Sequence, residues 1–342
     1  MQTKPFHWLR SYPKTALCLF LFALFTLLNV LAYHHAWAMT HFVSEGARTK
    51  RPEQLSFMKK LTVFCTGVSI PKPRGQGKTP KDHGLPFEFH RLAGSGGGEL
   101  EAWHIPHSRA KGIVLMFHGY ASCKASLLAE AKSFHDLGFA AFLVDFHGSG
   151  GSSGCNTSIG MFEAEEVALA ADYARTHWPA LPQICYGQSM GSAAILRASA
   201  ILGYNPAALI LECPFDRLLT TVGNRFGSMG LPAFPLAHLL VFWGGVQQGF
   251  NGFRHNPVEY AAHVACPVLH MQGTADPHVT REEAQAIFDN LGGEKKMELF
   301  AGIGHKPYLV NRPEQWRRAV GDFLAQHVEK SPSRAIFHSR GE

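Results

Sequence analysis

Charge is scarce in this chain, and little of it is gathered in one place. Only 17% of its 342 residues are charged, and 32 Lys and Arg against 26 Asp and Glu leave a net charge of +6. That surplus is mild. It comes with no continuous basic stripe and no interleaved aromatic platform, so the chain does not read as a nucleic-acid binder. Zinc spacing is missing too: the seven cysteines fall at 18, 65, 123, 155, 185, 213 and 266. Gly77-Lys78-Thr79 looks like the tail of a phosphate loop, but Lys72 stands where the leading glycine belongs. Gly148 to Gly154 begins like a dinucleotide fingerprint, and Ser153 breaks it at the third required glycine. His104 and His107 flank Ile105-Pro106 at a strand end with no companion ligands nearby in sequence. No cofactor or metal is implied.

What is present is a candidate nucleophile. Gly187-Gln188-Ser189-Met190-Gly191 follows the apolar run Leu181 to Tyr186 and precedes the helix-like run Ser192 to Leu202. Strand, sharp turn and helix are what a nucleophile elbow needs. Its flanking glycines allow the close chain approach that a serine in a strained backbone conformation requires. With 34 glycines in the chain, the string alone says little. An activated serine also needs a base, an orienter for that base, and donors for an oxyanion.

Both side-chain partners have candidates downstream. Asp276 follows the strand that starts near Pro267, in the loop Thr274 to Val279, and a helical pattern runs from Thr280 to Leu291. Its bland alternative is an Asx turn or N-cap. His305 closes Ala301-Gly302-Ile303-Gly304-His305, after the strand Met297 to Phe300. Most of the 20 histidines must be unremarkable. His305 is set apart by its place after the last strand, which completes the order Ser189, Asp276, His305. Upstream, the buried-type strand Ile113 to Phe117 ends in His118-Gly119-Tyr120. His118 is expected to be structural, packed under that loop.

With these residues the chain resembles the α/β hydrolases, in the branch of serine aminopeptidase-like and monoacylglycerol-lipase-like enzymes. The supporting strings are H-G-Y (118–120), D-F-H-G-S-G-G-S-S-G (145–154), G-Q-S-M-G (187–191), E-C-P-F-D (212–216), G-T-A-D-P-H-V (273–279) and G-I-G-H (302–305). They span roughly residues 86 to 328 and are specific for fold and triad, not for substrate. The resemblance implies oxyanion donors from the backbone of Met190 and Tyr120. One departure is His147-Gly148, where Arg-Gly is usual, which puts any ion pair from that position in doubt.

Strands are expected at 86–91, 100–105, 112–117, 140–146, 182–186, 207–212, 267–272 and 296–300, the first two antiparallel around Ser95-Gly96-Gly97-Gly98. Alternation with helices implies an eight-stranded, mostly parallel sheet covered on both faces. The interval 218–264 is too long for one crossover and reads as a small apolar cap suited to acyl chains or aromatic acids. Ordinary helix packing is the alternative there. The whole is divided into an N-terminal signal-anchor or signal peptide (1–40), an amphipathic helix and linker (41–84), the hydrolase domain (85–328) and a tail expected to be disordered (329–342).

The N-terminal segment carries Lys4, Arg10 and Lys14, then an uncharged apolar run from Thr15 to Tyr33. A spanning helix needs about 17–25 residues and a signal-peptide core about 7–15. A retained anchor is the expectation, and cleavage near Ala36-Trp37-Ala38 the alternative. Both place the domain outside the cytoplasm. The helix near 53–66 is expected to pack on the domain, with the membrane surface as its alternative. Cys123 and Cys155 fall in two loops at the rim of the site, and a disulfide between them is a hypothesis for mass spectrometry of non-reduced peptides. The expected function is hydrolysis of small-molecule carboxylic esters or thioesters. A peptidase releasing N-terminal residues is one rival, and a non-catalytic binding protein on the same fold is another.

Overall fold

The computed structural model describes residues 13–50, 55–94 and 97–329. Eight strands form one sheet: β1 Glu88–Ala93, β2 Glu99–Ile105, β3 Ile113–Phe117, β4 Ala140–Val144, β5 Gln183–Gln188, β6 Ala208–Glu212, β7 Val268–Gly273 and β8 Lys295–Phe300. Their order is β1-β2-β4-β3-β5-β6-β7-β8. β1 and β2 pair antiparallel, β2 joins β4 antiparallel, and every later pairing is parallel. Each expected strand is present, with ends shifted by at most two residues. Ser95 and Gly96 of the expected hairpin turn lie outside the described residues.

The helices are α1 Pro13–Thr40, α2 Phe57–Thr66, α3 Leu128–Asp136, α4 Glu163–His177, α5 Met190–Leu202, α6 Leu218–Ser228, α7 Leu236–Gln248, α8 Pro257–Ala261, α9 Arg281–Asn290, α10 Tyr308–Asn311 and α11 Pro313–Leu324. Alternate residues of the central strands point to opposite faces. On β3, Ile113, Leu115 and Phe117 join the core beneath α4, α5 and α9, whereas Val114 and Met116 join the core beneath α3 and α11. This two-sided burial explains why β3 and β4 are apolar throughout and β6 as far as Leu211, a pattern that marks parallel strands covered on both faces.

Helices α6, α7 and α8 fill the interval between β6 and β7. Leu218 and Val241 pack with Ala193 of α5 and Val279, so the insertion leans on the helix that follows the elbow and on the loop after β7.

The apolar run near the N-terminus is longer in the structure than in its sequence signal. The helix continues past Tyr33 to Thr40, and no residue of its most apolar stretch is buried. Helix α2 corrects an expectation: it does not pack on the domain. None of its residues is buried, and it touches α1, where Phe64 O lies 2.9 Å from His35 Nε2. Cys123 and Cys155 are both free, the first buried and the second exposed.

Candidate active site

The elbow is built by sterics. Ser189 follows β5 with φ 50° and ψ −109°, a strained backbone for a non-glycine residue. Its amide donates to Glu212 O of β6 at 2.8 Å. A Cβ at position 187 would stand 2.6 Å from the Ser192 amide nitrogen. Both distances are below any real Cβ contact where a side chain is forced on Gly191 too, since its Cβ would meet Phe117 O at 2.3 Å.

The structure brings Ser189, His305 and Asp276 together. His305 Nε2 lies 3.0 Å from Ser189 Oγ, and His305 Nδ1 lies 2.7 Å from Asp276 Oδ2. The other carboxylate oxygen accepts from the amides of His278 (2.8 Å) and Val279 (3.1 Å). Each residue stands just past the carboxyl end of its strand: β5, β8 and β7 respectively. Burial alone would raise the Asp276 pKa, but the hydrogen bond and charge of His305 and the two amides outweigh it and lower it. For His305 burial acts downward, while the Cys213 sulfur and the Asp276 carboxylate act upward and win.

The loop after β3 lies against the elbow. A Cβ on Gly119 would be 3.4 Å from Gln188 O and 3.6 Å from Ser189 Cβ. Tyr120 follows in this loop. The Met190 amide opens α5 and so has no acceptor within its own helix. His118 is fully buried and structural, as expected: Nε2 accepts from the Phe146 amide at 3.1 Å, and Nδ1 lies 2.9 Å from Gly119 O.

Several neighbours escaped the sequence reading. Cys213 is buried, and its sulfur lies within 4.8 Å of the donor atoms of Asp276 and His305. Beneath the elbow, Gln188 Nε2 donates to Tyr186 Oη (2.9 Å), Glu130 Oε1 (3.3 Å) and Glu212 Oε2 (3.4 Å). Glu212 also accepts from Trp316 Nε1 at 2.7 Å, which ties the end of β6 to α11. Arg225 on α6 lies near Tyr120 and Asp276; burial lowers its pKa and those two groups oppose the shift.

At the Arg-Gly departure His147 makes hydrogen bonds, and an ion pair is formed by another residue. His147 Nε2 lies 3.0 Å from Asn156 Oδ1, while the buried Lys124 ammonium contacts Asp145 and, at 2.6 Å, Glu101 Oε1. His104 has companions the sequence did not reveal. Strand register sets Glu88 opposite it, and Glu88, His90 and His104 offer donor atoms within 4.8 Å of one another. His107 is not part of that group. A cation could be held there, or by Cys213, Asp276 and His305, where it would occupy the base.

Two of the molecule's cavities lie near the insertion. The larger, about 510 Å³, sits between α6 and α7 and reaches Pro277 beside Asp276. The smaller, about 50 Å³, lies where α1 meets α7 and α6. Ser189 lines neither.

This sheet order, with a serine elbow after β5, an aspartate after β7 and a histidine after β8, defines an α/β-hydrolase. Comparison with known proteins agrees. Residues 108–238 match the family model described as serine aminopeptidase, S33. A monoacylglycerol lipase of Mycolicibacterium smegmatis is 23% identical over 260 residues, covering 66% of this chain and 92% of that protein. The Pyrococcus furiosus esterase Pf2001 superposes with a TM-score of 0.65 at 20% identity, covering 75% of this chain and 97% of that one. Est1E from Butyrivibrio proteoclasticus, solved with ferulic acid bound, superposes with a TM-score of 0.55 at 16% identity, covering 70% and 99%. At such identities the structural likeness is one of fold. The chain is a member of the α/β-hydrolase superfamily, and these relatives support a hydrolase.

Proposed function

We propose that the protein is a serine hydrolase of carboxylic esters or thioesters. The observation carrying this reading is the continuous chain Ser189 Oγ, His305 imidazole, Asp276 carboxylate at 3.0 and 2.7 Å. Ser189 attacks the acyl carbon while His305 Nε2 takes its proton. Asp276 fixes the tautomer and stabilises the imidazolium. The amides of Met190 and Tyr120 receive the oxyanion, each such donor being worth about 3–4 kcal/mol. The tetrahedral intermediate collapses, His305 gives the proton to the leaving oxygen or sulfur, and the acyl group remains on Ser189. Water, deprotonated by the same imidazole, then releases the acid. No step draws on a cofactor.

The insertion 218–264 acts as a cap. The cavity between α6 and α7 is lined largely by Leu219, Gly223, Ala233, Ala237 and Pro277, small or apolar groups that suit an acyl chain better than a sugar. The peptidase reading is favoured by the name of the matching family model alone.

A fluorophosphonate probe on wild type and Ser189→Ala tests the proposal, followed by p-nitrophenyl esters of rising chain length and an aminoacyl p-nitroanilide. Labelling that disappears in the variant, with turnover of esters, is the expected result. No labelling of folded wild type overturns it in favour of a binding protein, and turnover of the anilide in preference to esters moves it to the peptidase.

A further inference from the structure

Helix α1 is not a free tether. Its first half is open on all sides, whereas from Leu28 onward it packs against the insertion between β6 and β7. Trp243 Nε1 on α7 donates to Asn29 Oδ1 at 3.1 Å, and Gln247 Nε2 donates to Tyr33 O at 2.8 Å. The Tyr33 and Trp243 rings meet edge to face. At its far end, Tyr120 Oη donates to Met39 O at 2.5 Å, and Thr157 N donates to Thr40 O at 2.9 Å. The helix therefore ends on the loop that flanks Ser189.

These contacts set a height. A 30 Å hydrocarbon layer takes about 20 helical residues, which from Thr15, the first residue after Lys14, reaches His34. No residue from Thr15 to Phe42 carries a full charge. Of the points of attachment of α7, Tyr33 then lies at the hydrocarbon edge and Asn29 within a turn and a half of it. Met39, which accepts from Tyr120, stands about 8 Å beyond it at 1.5 Å per residue, within the headgroup layer.

The elements attached to α1 carry exposed apolar side chains. Helix α7 turns Ala237, Val241 and Gly245 inward and leaves Phe242 and Val246 open on another face. The loop after α6 adds Met229, Leu231 and Phe234, the last 73% exposed. Helix α2, whose last turn meets α1 at His35, exposes Phe57 (78%), Met58, Leu61 and Phe64 beside Lys59 and Lys60. Ten residues with no buried side chain cannot hold a helix in water on propensity alone. Apolar side chains next to lysines suit an interfacial helix on anionic lipid.

We propose that this face, made of α2, the loop after α6 and the open side of α7, is seated in the interface of the bilayer that α1 spans, so that the site takes acyl esters resident in the membrane. This deepens the hydrolase reading by naming where its substrate lies. It also explains why the anchor is hydrogen-bonded to the cap: the attachment holds the mouth of the site at headgroup depth, and an ester carbonyl there needs little lift to reach Ser189.

The test uses the full chain in vesicles of phosphatidylcholine and phosphatidylglycerol carrying a photoactivatable phospholipid. Crosslinked peptides are mapped by mass spectrometry. Adducts within 57–64 and 229–246, as well as within 13–32, are expected. Adducts confined to 13–32, or a chain not retained by the vesicles, overturn the proposal. In parallel, Phe242→Asp/Val246→Asp is compared with wild type on an ester embedded in the vesicles and on a short soluble ester. The embedded ester should lose about tenfold or more while the soluble ester is unchanged, the response expected when carboxylates replace an interfacial apolar face. Equal rates on both overturn it. Failure of the hydrolase reading is seen separately, as absent fluorophosphonate labelling of wild type.

Discussion

Gly191 and Phe117 touch so closely that no side chain fits between them: a Cβ on the glycine would sit 2.3 Å from the Phe117 carbonyl oxygen. Gly191→Ala must therefore move β3 or the elbow. Overpacking of this kind costs about 1–3 kcal/mol, or a few degrees of melting temperature for a domain of this size. Fluorophosphonate labelling should fall more than stability does, because the shift is centred on Ser189. Calorimetry and labelling rates measure the two separately; normal labelling would show that the contact is dispensable.

The base sets the pH dependence. His305 must be neutral to accept the Ser189 proton, and its pKa is raised above the ordinary 6.5 by Cys213 and Asp276 against the effect of burial. Activity should therefore fall on the acid side with a midpoint above 6.5, and Asp276→Asn should move that midpoint down. The same variant should lower kcat by about 10⁴-fold through the wrong tautomer. A kcat/KM profile from pH 5 to 10 checks both; an acid limb below pH 6.5 in wild type would refute the first.

Lys124 stands buried between Asp145 and Glu101. Removing one partner of such a pair strands the other charge and costs about 3–5 kcal/mol. Lys124→Met is expected to destabilise by that order, and Lys124→Met/Asp145→Leu by less than the single change. Urea unfolding of both variants decides; a double variant less stable than Lys124→Met would deny the coupling.

Burial and mutual repulsion raise the carboxyl pKa of Glu130, and burial raises that of Glu212. The folded state then holds protons that the unfolded chain gives up near 4.5. Stability contributed by these groups is present below that pH and is lost as pH climbs through the raised folded values. Glu130→Gln keeps the shape without the proton equilibrium and should flatten the decline between pH 5 and 8. Melting temperatures across that range are the check, and parallel curves would remove Glu130 from the account.

Much of this architecture is legible in the sequence because parallel strands buried on both faces are written as short apolar runs, and those runs end in the loops that bear Ser189, Asp276 and His305. Legibility stops where the deciding contact is tertiary. Glu130 sits on α3 far from the elbow in sequence, and only the fold sets its carboxylate against Gln188. Glu88 meets His104 through the register of β1 and β2, which the run lengths do not specify. Helix α2 was read as domain-packed on its apolar spacing, but spacing states that a face needs covering and not what covers it.

The donor and acceptor atoms of the site come from places 116 and 29 residues apart along the chain. No fragment ending before β8 holds a base, however well its elbow forms. Nonlocal pairing of this kind is acquired late, after loop closure has been met by many other contacts. Appearance of the reactive serine during refolding should therefore mark docking of the last strand onto β7, making a covalent probe a clock for sheet completion where collapse or helix formation would report earlier events.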